Sequence, residues 1–110
     1  MRAVTRILFL DENNEKFFGE GPYRLLQEVE KTGSLRSAAI SMGMSYSKAM
    51  KLLAKAEQAL GFSLTVRQIG GKSGGGSTLT PECREWMKKY EIYRDECVKA
   101  NKIIYDQYFG

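Results

Sequence analysis

Apolar residues along this chain follow two rhythms, and the switch between them divides it into elements. "VTRILFL" (residues 4–10) is β-branched and apolar, "DENNEK" supplies turn residues, and Phe17 and Phe18 return to apolar character before Gly19. That order predicts a short β-hairpin over about 3–18. From Pro22 the spacing becomes helical: Leu25, Leu26 and Val29 share a face, proline suits a first turn, and Gly33 follows as a stop, giving a helix over about 21–32.

Ser34 is placed to cap a second helix, "LRSAAISM", ended by Gly43, and Ala38 and Ala39 allow a neighbouring helix to approach closely. Ser45 caps a third, "YSKAMKLLAKAEQAL", ended by Gly61. The link between them is only "GMS", and two helices joined by so tight a glycine-containing turn form a helix-turn-helix over about 34–60. "FSLTVRQI" and "STLT" then read as two strands around a glycine-rich loop, a wing over about 64–80. Thr80 and Pro81 open a helix that runs to about Phe109, with Glu82 and Glu85 near the positive end of its dipole. The whole is a mainly α chain with small β elements: a winged helix-turn-helix with an amino-terminal hairpin and a long carboxy-terminal helix, in one domain spanning residues 1–110.

Composition narrows what such a chain does. Its 110 residues carry a net charge of +4, 43% apolar residues, no histidine and two cysteines. The absence of histidine removes a histidine-based acid, base or triad, and with Cys83 and Cys97 alone a structural zinc site is nearly excluded. Those cysteines stand fourteen residues apart in one helix, about 21 Å, too far for a disulfide within the chain. No stretch has the length of a membrane span, and the amino terminus lacks a secretory cleavage site, so a soluble, cytoplasmic protein is expected. No enzymatic activity and no cofactor are expected.

Within the third helix, Ala49, Leu52, Leu53, Ala56 and Leu60 project to one side and Lys48, Lys51 and Lys55 to another. A lysine stripe is an ordinary solvated face as well as a phosphate-binding one; its position after "GMSYS" favours the second reading. The first turn of such a helix reaches base edges in the major groove, which makes Tyr46, Ser47 and Lys48 the natural readers, with Lys51 a turn further on. A core aromatic is the other reading of Tyr46. Ser34 and Ser45 are caps first, with a phosphate contact as an added role.

"IGGKSGGGSTLT" (69–80) invites comparison with a nucleotide-binding P-loop, but the residue five before Gly71 is Val66 rather than glycine, and a strand-like run follows where a helix is required. A wing needs only a side-chain-free loop that approaches a backbone closely, with Lys72, Ser73 and Arg67 available to phosphate. A small-oxyanion nest using the same glycine-loop amides, for molybdate or phosphate, is the alternative from another class. In the last helix Cys83, Trp86, Tyr90, Tyr93, Cys97, Ala100 and Ile104 are spaced 3, 4, 3, 4, 3, 4. This heptad seam predicts pairing of two subunits through Trp86, Tyr90, Tyr93, Cys97, Ala100 and Ile104.

The run "TGSLRSAAISMGMSYSKAMKLLAKAEQALG", followed by "GGKSGGGSTLTPECREW", resembles the amino-terminal DNA-binding domain of the ModE family of molybdate-responsive transcription regulators, relatives of the LysR-type winged helix. The resemblance implies a homodimer that binds double-stranded DNA at an inverted-repeat operator. It implies DNA contact from Tyr46, Ser47, Lys48, Lys51 and Lys72, and dimerisation through the long helix. The likeness stops at Gly110 without the family's carboxy-terminal molybdate-binding domain. A stand-alone regulator, or one controlled by a separate effector or sensor protein, is therefore expected.

Overall fold

The computed structural model describes residues 1–68 and 76–110. In chain order the elements are β1 (Phe9–Leu10), β2 (Lys16–Phe18), α1 (Glu20–Thr32), α2 (Leu35–Ser41), α3 (Tyr46–Leu60), β3 (Thr65–Gln68), β4 (Gly76–Leu79) and α4 (Pro81–Phe109). This is the mainly helical winged arrangement expected from the periodicity, and the reasons are local. Gly33, Gly43 and Gly61 hold φ of 73°, 68° and 83°, left-handed values that a side chain resists, and each closes the helix before it or the turn after it. Ser34, Ser45 and Thr80 each accept a backbone N–H from the residue three positions on, at 3.1, 3.1 and 3.0 Å. The Thr80 hydroxyl also donates to the Ser63 carbonyl at 2.7 Å, fixing the start of α4 against the entry to β3.

One core joins the elements. Leu25, Leu26 and Val29 of α1, Ala38 and Ala39 of α2, and Ala49, Leu53 and Ala56 of α3 meet Leu64, Leu79, Cys83, Met87 and Tyr90, all buried. The small alanine side chains let α2 and α3 pack closely in this core. The wing strands pair antiparallel with Thr65 opposite Leu79 and Gln68 opposite Gly76. The wing is also tied sideways: the Ser77 amide donates to the Gly33 carbonyl at 2.8 Å. A Cβ at Gly76 would stand 2.7 Å from that same carbonyl, so only glycine fits there without a shift.

Two expectations change. The first hairpin is shorter than about 3–18, since pairing begins only at Phe9, opposite Phe18, with an irregularity before Leu10. Its second strand gives way to α1 immediately after Gly19, which leaves residues before Phe9 nothing to pair with. They run along α4 instead, where Asn101 donates to the Thr5 hydroxyl at 2.7 Å and the Tyr105 hydroxyl to the Met1 carbonyl at 3.0 Å.

The second correction concerns the α4 seam. Trp86 and Tyr90, expected between subunits, are built into the protomer's own aromatic cluster. Trp86 packs at 5.3 Å from both Phe9 and Phe18, and Tyr90 at 5.1 Å from Phe18 and Tyr23. Heptad spacing identifies a face that needs covering; it does not identify the cover, and the hairpin and α1 supply it here. Beyond Tyr90 the seam emerges: Tyr93 and Ile104 are 51% and 54% exposed, Ala100 is exposed and Cys97 half-buried. Arg94 pins the crossing point, donating to Glu20 at the start of α1 at 3.2 Å while lying over the rings of Tyr23 and Tyr90. Among the described residues, no helix is long and apolar enough to cross a membrane.

Candidate nucleic-acid interface

The capping bond at Ser45 starts α3 in a defined direction, and its amphipathic spacing decides what faces out. Ala49, Leu53 and Ala56 are buried against α1 and α2, so Ser47, Lys48, Met50, Lys51, Ala54 and Lys55 are left exposed on the outer face. No acidic residue lies in the first turn of α3, and neither Lys48 nor Lys51 forms an ion pair among the described residues. The first two turns thus carry uncompensated positive charge at a helix start that is itself positive.

Lys55 stands apart from its two neighbours in the stripe. Its ammonium pairs with Glu15 of the amino-terminal hairpin at 3.2 Å. An open groove between that hairpin and α3 is lined by Asp11, Glu12 and Glu15 on one side and Lys51, Lys55 and Gln58 on the other. Acidic charge therefore borders α3 from Lys51 onward, and Lys48 stands outside that lining.

Tyr46, the first residue of α3, is half-buried rather than wholly core or wholly free. The Arg36 guanidinium of α2 lies 4.4 Å from the centre of its ring. Sequence reasoning missed Arg36, because its significance depends on how the turn between Ser41 and Tyr46 brings α2 to the start of α3. The signal available was its position two residues after the Ser34 cap, in the first turn of α2. The Ser34 and Ser45 hydroxyls are both engaged as caps. Arg67 is exposed on β3, opposite Ser77. Lys72 and Ser73, together with the glycine loop read as a wing tip or oxyanion nest, lie outside the described residues.

The groups whose acidities move furthest lie in the buried packing of α1 and α4. Burial pushes the Tyr90 hydroxyl up to about 12, assisted by its hydrogen bond to Glu20, and the Tyr23 hydroxyl likewise to about 12. Burial alone is the leading cause for the Cys83 thiol, also raised to about 12. These are signs of packing, not of a reacting centre.

Comparison with known proteins agrees with this geometry. Residues 22–84, from α1 through both wing strands into α4, match the bacterial regulatory helix-turn-helix proteins of the lysR family. The transcriptional regulator ModE of Haemophilus influenzae is 31% identical over 107 residues, covering 97% of this chain and 42% of its own length. A molybdenum transport protein ModE of Herbaspirillum seropedicae is 40% identical over 65 residues, 59% of this chain and 24% of the relative. The DNA-binding transcriptional dual regulator ModE of Escherichia coli K12 is 29% identical over 104 residues, 93% of this chain and 39% of the relative. The chain thus spans less than half the length of these relatives. With a helix-turn-helix, a paired wing base and a match over more than half its residues, this chain belongs to the lysR family of bacterial regulatory helix-turn-helix proteins.

Proposed function

We propose that the chain is a sequence-specific, DNA-binding transcriptional regulator of the ModE type, acting in the cytoplasm as a homodimer on an inverted-repeat operator. The observation that carries this reading is the division of α3: one face is spent on the core, and the opposite face presents Ser47, Lys48 and Lys51 exposed and unpaired among the described residues. A recognition helix has that form, entering the major groove by its first turns. Lys48 and Lys51 meet guanine acceptors or phosphate, Ser47 meets a base edge, and Arg67 with Lys72 and Ser73 of the wing meets the flanking backbone. Lys55, held by Glu15, lies at the edge of the footprint. The part of α4 beyond Tyr90, with Tyr93, Cys97, Ala100 and Ile104, joins the two subunits. The small-oxyanion alternative gains no support from the match to regulatory helix-turn-helix proteins.

Selection of bound sequences from random duplex DNA tests the reading. A symmetric motif is expected, with half-site centres roughly 34 Å apart or a multiple of it. Affinity should fall steeply with salt as phosphate contacts release counterions. Lys48→Ala should weaken binding at the selected site, and failure to enrich any sequence at low salt would defeat the proposal.

A further inference from the structure

We infer that Arg36 of α2 is a phosphate-gripping residue of the DNA surface and that Tyr46 is the residue that positions it, so that the tyrosine acts through the arginine rather than by reading a base. This rests on the reading of the chain as a DNA-binding protein, and it deepens that reading by reassigning one of its expected base readers.

The molecule contains stacked arginines of two kinds, distinguished by what their charge meets. Arg94 lies over Tyr23 and Tyr90 with its centre 5.1 and 5.5 Å from the rings. Its charge is met by Glu20 and Asp95, each at 3.2 Å. Its N–H groups are engaged within the fold, and it serves to hold α4 on α1. Arg36 stacks more closely, 4.4 Å from the Tyr46 ring, is exposed, and forms no ion pair among the described residues. A guanidinium whose carbon stands over a ring face has spent none of its five N–H donors on that contact, and those donors can grip a phosphate in bidentate fashion. Stacking also restricts a long, flexible side chain before any ligand arrives, which lowers the ordering cost of binding.

The location fits this use. Arg36 is in the first turn of α2 and Tyr46 begins α3, with exposed Ser47 and Lys48 next in the chain. An arginine so placed flanks the helix that enters the groove, where backbone contacts set the register. Tyr46, half-buried and with one ring face under the guanidinium, is poorly placed to present that face to a base.

The test uses the full chain, titrated against a duplex carrying the selected site and against random duplex of equal length, over a range of salt. Arg36→Ala should weaken binding to both duplexes by the same factor, about tenfold for one charged hydrogen-bonding partner. It should also lower the salt slope by about 1 for each phosphate no longer neutralised. Tyr46→Phe, which keeps the ring, should bind like the parent. Tyr46→Leu should weaken both duplexes equally, and the double variant Arg36→Ala with Tyr46→Leu should be no weaker than Arg36→Ala alone. Arg36→Lys, the conservative variant, should recover part of the affinity missing in Arg36→Ala, and it decides the matter should the alanine variant not fold.

The inference is overturned if Tyr46→Leu changes the preferred base at any position, if Arg36→Ala leaves affinity and slope unaltered, or if the two effects multiply. Lys48→Ala separates this failure from that of the broader reading. If the parent binds its site and Lys48→Ala weakens it, a negative result falls on Arg36 alone; a parent that binds no duplex removes both.

Discussion

Ser45 shows how much one side chain decides at the start of α3. Its hydroxyl accepts the Lys48 amide at 3.1 Å, so Ser45→Ala should cost about 1 kcal/mol, read from a shift in the urea midpoint. The two cysteines also differ. Cys83 is fully buried with its thiol raised to about 12, whereas Cys97 is half-buried. A thiol reagent at neutral pH should spare Cys83 on the native protein and modify it once the chain is unfolded in urea, which mass spectrometry of the digest would resolve; labelling of native Cys83 would contradict the packing described. Positions such as Ser34, Ser45, Thr80, Gly33 and Gly61 were legible because capping and left-handed backbone are set by neighbours in sequence. Arg36 and Glu15 were not, because a ring ten residues away and a lysine forty residues away give them their roles.

The wing and the long helix show the same boundary between local and distant causes. Gly76 was legible as part of a flexible loop, yet its place in β4 requires glycine for a different reason, the approach of the Gly33 carbonyl to 2.7 Å of any Cβ. Backbone cannot yield as a flexible side chain does. Gly76→Ala should therefore lower stability by about 1–3 kcal/mol, measured by chemical unfolding, whereas a change at Gly21, which has open space around it, should not. The seam of α4 was legible as a periodicity and misassigned as an interface over its first half. Phe9, Phe17 and Phe18 come from a hairpin about seventy residues earlier, and no spacing rule within α4 names them.

Taken as one body, the protein measures 57 × 28 × 25 Å, and its long dimension reflects the end of α4 extending past the core. The exposed Tyr93, Ile103, Ile104, Tyr108 and Phe109 on that extension are the basis for the proposed pairing. Sedimentation at micromolar concentration should show a dimer, and Ile104→Glu should move it toward monomer without loss of helix content. Alkali should act on the fold itself. Tyr23 and Tyr90 are raised from 10 to about 12 and Cys83 from 9 to about 12, so the folded chain retains protons that the unfolded chain releases. Stability from these groups is complete below about pH 9 and should decline as the pH rises toward 12, a fall that unfolding midpoints across that range would record.

The inner turns of α4 are already enclosed by phenylalanines from the same polypeptide. Parting the subunits would thus uncover only the outer turns, and a lone copy would keep its shape. For the proposed dimer, dilution should separate the pair well before it melts either member, so that assembly would follow cellular abundance and not folding.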